Sequence, residues 1–89
     1  MKIILTVTGP DRVGIIAAVA TRLAALEVNI LNVSQTLMDG YFTMIMQGSF
    51  DDAAGSIEAI QEDMAAVQEQ MGVIVRIQSE AIFDAMHQL

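Results

Sequence analysis

Asn29-Ile30-Leu31-Asn32-Val33-Ser34-Gln35-Thr36-Leu37-Met38-Asp39-Gly40-Tyr41-Phe42-Thr43-Met44-Ile45-Met46-Gln47 decides the fold, because it alternates on both sides of one dipeptide. Leu31, Val33 and Leu37 share one parity, and Asn32, Ser34 and Thr36 share the other. Past the dipeptide, Phe42, Met44 and Met46 alternate with Tyr41, Thr43, Ile45 and Gln47. A period of two belongs to strands, whose successive side chains point to opposite faces. Asp39-Gly40 signals a two-residue type I′ turn, since both of its positions need positive φ. The stretch from Asn29 to Phe50 therefore reads as a hairpin.

Each side of the hairpin carries a helix. Val13 to Leu26 is rich in alanine, leucine and isoleucine, with no breaker past Gly14. Ile57, Ile60, Met64, Val67 and Met71 form one apolar stripe at helical spacing. Asp51-Asp52 is the expected cap of that helix, with Gly55-Ser56 delaying its regular start, and Gly72 is its expected end. Outside the helices lie two strands, Ile3 to Val7 and Val73 to Ile77. Gly9-Pro10 is the expected end of the first, because proline lacks a ladder donor.

The order predicts an α+β, ferredoxin-like βαββαβ fold. Right-handed crossovers give one four-stranded antiparallel sheet with two helices on one face. Its inner face is expected to hold Ile3, Leu5, Val7, Leu31, Val33, Leu37, Phe42, Met44, Met46, Val73, Val75 and Ile77. The second and fourth strands fall at the edges. Residues 1–78 form the domain. Residues 79–89 extend it as a short C-terminal helix capped by Ser79, with Ile82, Phe83, Met86 and Leu89 as its apolar side chains.

Composition narrows the function. The chain has 89 residues, 54% of them hydrophobic, more apolar material than so small a monomer hides easily. A homo-oligomer is expected, a dimer or higher. The net charge is −7, and no Lys or Arg lies between Arg22 and Arg76. Such a surface repels phosphate, so direct nucleic-acid binding is excluded. No apolar run reaches the ~20 residues of a membrane span, and no signal peptide is visible, so a cytoplasmic, membrane-free protein is expected. There is no cysteine, and the single His87 is the third residue from the end, with the carboxylates scattered. An enzyme is not expected, since catalysis needs a convergent set of groups. No cofactor and no metal site are expected either. The methionines at 44, 46, 64 and 71 sit at core spacing.

The joint Thr8-Gly9-Pro10-Asp11-Arg12-Val13-Gly14-Ile15 carries what ligand chemistry there is. A strand here runs into a helix, with Asp11 as the expected N-cap. A helix N-terminus holds unpaired N–H groups and partial positive charge, which suit a carboxylate. Gly14 lets a ligand approach the backbone, and Arg12 adds a cationic fork.

The Asp11-Arg12-Val13-Gly14-Ile15 turn, the Asn29-Ile30 start of the second strand and the βαββαβ order together resemble an ACT domain. Ser34-Gln35-Thr36, Tyr41-Phe42-Thr43-Met44 and Ile82-Phe83-Asp84-Ala85-Met86-His87 narrow the resemblance to small stand-alone ACT-domain proteins. ACT domains of the glycine-cleavage repressor type and of formyltetrahydrofolate deformylase are wider relatives. The resemblance implies a regulatory module that binds a small effector, most often an amino acid, between two associated domains. It implies that Asp11, Arg12, Val13 and Gly14 of one chain face Asn29, Ile30, Leu31 and Asn32 of its neighbour. Helix-start amides suit the ligand carboxylate, and Asp11 or asparagine oxygens suit its ammonium. Gly14→Val is expected to abolish binding while the fold survives, since valine costs a helix only a few tenths of a kcal/mol relative to alanine and no more than glycine does. The alternative is an interaction or oligomerisation module with no small ligand. Amino acids stabilise the first and leave the second unchanged.

Overall fold

The computed structural model describes residues 1–11, 13–53 and 55–82. The elements run β1 (Lys2–Pro10), α1 (Ile15–Ala25), β2 (Asn29–Met38), β3 (Tyr41–Ser49), α2 (Ile57–Met71) and β4 (Ile74–Ser79). The strands form one antiparallel sheet in the order β2-β3-β1-β4, which is the ferredoxin-like order. Residues 80–82 open a helix whose Ile82 N–H donates to Ser79 Oγ at 3.2 Å. The rest of the expected C-terminal helix lies outside the described residues.

Asp39 and Gly40 take φ of 52° and 78°, so the hairpin turns as its sequence predicts. Gly72 closes α2 in the left-handed region, at φ 69°. The core packs Ile15, Val19 and Leu23 of α1 and Ile60, Met64 and Val67 of α2 onto Ile3, Leu5, Val7, Phe42, Met44, Met46 and Ile77. Each such side chain contributes about 1.5–3 kcal/mol by leaving water. Between the helices, Arg22 Nη1 meets Asp63 Oδ1 at 3.3 Å. Both groups are more than a third exposed, so this pair adds less than about 1 kcal/mol.

Several local expectations are corrected. The N-cap of α1 is Gly14, not Asp11, and no side chain caps it. Asp11 is occupied elsewhere: its N–H donates to the Gly40 carbonyl at 2.8 Å, tying the β1–α1 loop to the hairpin tip. As expected, Pro10 is the last residue of β1; it still pairs with Tyr41, where β4 reaches only as far as Thr8 and leaves β1 one neighbour. The cap of α2 is Ser56, whose Oγ accepts from the Ala59 N–H at 3.2 Å. Asp51 instead accepts the Ala53 N–H at 2.9 Å, stabilising the preceding turn. Ser56→Ala should therefore lower stability by about 1 kcal/mol in urea unfolding. The same change at Asp52, whose side chain makes no such cap, should do less.

The inner face departs from expectation at β2. A bulge at Leu31 shifts the register, so Ile30 opposes Gly48 but Asn32 opposes Gln47. Leu31 is thus the unpaired extra residue and not an inner-face one. Val33 and Leu37 oppose Met46 and Phe42 and so share their face, yet they are 48% and 59% exposed. Helix cover ends before it reaches β2.

Candidate functional site

The two sheet edges are treated differently. At β4, Gln68 Oε1 accepts the Val75 N–H at 2.9 Å, and Gln61 Nε2 donates to the Ile77 carbonyl at 3.2 Å. Side chains of α2 thereby occupy two of the edge groups that another strand would need. That same alternation propagates through the register. With residues 75 and 77 facing out, the even residues of β4 bond β1, the odd residues of β1 bond β3, and the odd residues of β3 bond β2. The even residues of β2 are then engaged with β3. Val33, Gln35 and Leu37 direct their N–H and C=O groups outward. Among the described residues no other side chain bonds to them, so β2 is a bare edge.

On the helix side, between the start of α1 and Phe42 of β3, the strand next to this edge, lies an open apolar cleft of about 420 Å³. Asp11, Gly14, Ile15, Ile16, Ala17, Ala20 and Phe42 line it. Two candidate ligand residues, Asp11 and Gly14, belong to it, and Val13 is exposed next to them. The cleft sits at the start of α1, where Gly14 has φ 91° and its carbonyl accepts the Ala18 N–H at 2.8 Å. No acidic residue stands in the first turn. The positive end of the helix therefore faces the cleft with no carboxylate in its own first turn, Asp11 being the acidic residue of the lining. A β-carbon on Gly14 would meet nothing within 4 Å, so it would project into open space. Position 14 is left-handed and not helical, however, so the expectation that valine costs no more than glycine there is corrected. A non-glycine residue in this region costs about 1–2 kcal/mol. Arg12 lies outside the described residues.

The second half of the candidate set is elsewhere. Asn29 opposes Ser49, which opposes Lys2, whereas Asp11 follows Pro10 at the other end of β1. Eight steps along a strand separate the two groups by about 26 Å. Within one chain Asp11, Val13 and Gly14 do not meet Asn29, Ile30, Leu31 and Asn32. Ile30 packs half-buried on the core, Leu31 occupies the bulge, and Asn32 lies on the face away from the helices. Asn32 Nδ2 donates to Gln47 Oε1 at 2.7 Å, a partner that sequence reasoning did not supply.

Among the described residues no three His, Cys, Asp or Glu side chains gather into a metal site. No helix there is long and apolar enough to cross a membrane.

The fold and its helix-start cleft define a class, a ferredoxin-like domain with one edge partly occupied by helix side chains and one open edge. A family model described as ACT domain matches residues 2–78. A UPF0237 protein of Corynebacterium diphtheriae is 62% identical over 87 residues, covering 98% of each chain. The solved structure of an ACT domain protein from Streptococcus pneumoniae is 40% identical, covers 98% of each chain and superposes with a TM-score of 0.82. A putative glycine cleavage system transcriptional repressor shares the fold, with a TM-score of 0.77 at 21% identity over 86% of this chain and 44% of its own. The chain belongs to the ACT-domain family, among its UPF0237 members.

Proposed function

We propose that this chain is a regulatory module that binds an amino acid between two copies of itself. The observation that carries the reading is the bare β2 edge, one strand from the Phe42 that lines the Gly14 cleft, set against a β4 edge partly occupied by Gln61 and Gln68. Two copies joined along β2 run antiparallel about a two-fold axis. The start of each β2 then lies beside the end of the other, next to the hairpin tip. Asp11 is bonded to that tip through Gly40, so the β1–α1 loop is carried there with it. The dyad thus brings together the two groups of residues that a single chain keeps about 26 Å apart.

In that arrangement the ligand carboxylate lies against the α1 amides at Gly14. Its ammonium faces the oxygen of Asn29 at the start of the neighbour's β2, or of Asp11, whose side chain caps no helix. Pairing also covers Val33, Leu37 and Ile16, which are exposed in the single chain. The fold shared with a putative glycine cleavage repressor supports a regulatory use for such a module.

A calorimetric screen of the twenty amino acids tests this. One of them should bind, and at about 100 times its Kd should add ~2.7 kcal/mol of stability. Gly14→Val should remove that binding while the chain stays folded, at a cost of about 1–2 kcal/mol. Failure of every amino acid to bind the parent chain would leave the oligomerisation reading in its place.

A further inference from the structure

The pairable part of β2 has fixed limits. Between the Leu31 bulge and the Asp39-Gly40 turn, residues 32–38 pair regularly with β3, and Gln35 is the midpoint of that stretch. Val33, Gln35 and Leu37 oppose the buried Met46, Met44 and Phe42, so their side chains lie on the helix side. Ser34 and Thr36 lie on the other side. The odd residues also turn their N–H and C=O groups outward. A two-fold axis pairs each residue with one equally far beyond the axis. Outward groups then meet outward groups only where odd residues oppose odd ones.

Registers that meet this condition near the midpoint place the axis at Ser34, Gln35 or Thr36. With the axis at Gln35, Val33 opposes Leu37 of the second copy, and Gln35 opposes its own equivalent. With the axis at Ser34, Val33 opposes Gln35 and Leu37 falls against the bulge. With the axis at Thr36, Leu37 opposes Gln35 and Val33 falls against the turn. Only the Gln35 register engages every outward residue in the shared ladder. It also sorts the side chains by chemistry. Val33, 48% exposed, and Leu37, 59% exposed, cover each other. Each Gln35 amide has a donor end and an acceptor end, so the two can bond across the axis. Ser34 meets Thr36 on the face away from the helices. The shifted registers set an apolar side chain against an amide.

We infer that two copies pair with Gln35 on the two-fold axis and Val33 of each against Leu37 of the other. The inference rests on the proposed β2 pairing and adds its register. The bulge lies as far before Gln35 as the turn lies after it. The Leu31 bulge of one copy therefore arrives beside the Asp39-Gly40 turn of the other. That turn holds Asp11, whose N–H donates to the Gly40 carbonyl at 2.8 Å. The bulge ends the shared ladder and sets Leu31, 40% exposed, at the joint between the two chains.

The chain has no cysteine, so single cysteines placed along β2 read the register directly. In a hydrogen-bonded antiparallel pair the Cα atoms are about 5.5 Å apart, within disulfide reach. An axis at Ser34 or Thr36 would hold the two residues at position 35 roughly 8 Å apart, beyond that reach. With the full chain and oxidised glutathione as the oxidant, Gln35→Cys should form a disulfide dimer about tenfold faster than Val33→Cys or Leu37→Cys alone. Mixed and allowed to exchange subunits, Val33→Cys and Leu37→Cys should cross-link to each other. A fastest cross-link at Ser34→Cys or Thr36→Cys would overturn the register and leave the β2 pairing standing. No cross-link at any of these positions would overturn the β2 pairing and the register with it.

Discussion

Gln35→Pro will give a chain that folds but sediments as a 9.6 kDa monomer and binds no amino acid. Gln35 is exposed at the middle of β2, and the register directs its N–H away from β3. Proline there removes an outward donor and no bond of the chain's own ladder, which is the edge position where strands tolerate it. Symmetry applies the loss twice, and the rings crowd the facing strand. The expected cost to association is about 3 kcal/mol, roughly a hundredfold in Kd. Sedimentation velocity at micromolar concentration reads this directly, with circular dichroism to confirm the fold. A Gln35→Pro protein that sediments with its parent would place the interface elsewhere, the face bearing Tyr41, Ile45 and Ile74 being next in line.

Gly9→Ala will be the most damaging single methyl in the domain. Gly9 is buried on β1 at φ 156°, opposite Phe42. A β-carbon there would lie 3.0 Å from Val73 Cγ1 and 3.1 Å from Val73 Cα. The second contact is with backbone, so no rotamer change relieves it. Backbone strain and overpacking together should cost about 3 kcal/mol. A domain of this size has roughly 4–13 kcal/mol in all, so the urea midpoint should fall steeply. A loss below about 1 kcal/mol would mean that the start of β4 yields more easily than its packing indicates.

Much of the fold is legible in the chain because the strongest signals are local. Asp39-Gly40 needs only its own φ values, and Ile60, Met64 and Val67 need only a helical period. What was not legible depends on partners distant in sequence. Alternation assigns Val33 and Leu37 to the helix-facing side but carries no information on how far the helices reach. A bulge inserts one residue without any residue type that demands it, so Leu31 reads as regular strand. Asp11 and Gly14 both suit a helix start. The choice went to Gly14 because the chain turns through the left-handed region there, while the Asp11 N–H is bound to the hairpin tip.

The candidate site divides in the same way. Gly14 and Asp11 were visible as a strand-to-helix joint, and they do line one cleft. Gln61 and Gln68 gave no signal, since a glutamine on a helix reads as solvated whether or not it seals a strand edge. Yet it is these two that distinguish the partly occupied edge from the open one.

The central claim is that each ligand site is built from two chains, and complementation between two defective variants tests it most directly. Gly14→Val damages the helix-start half, and Leu31→Lys places a cation at the exposed bulge of the β2 half. Each variant alone should dimerise and bind no amino acid. After mixing in equal amounts and exchange of subunits, half of the dimers are mixed, and each mixed dimer holds one site with both halves intact. Titration with the amino acid that binds the parent should then recover about one quarter of the parental sites at parental affinity. No recovery, from variants shown to exchange subunits, would contradict the account and place any site within a single chain.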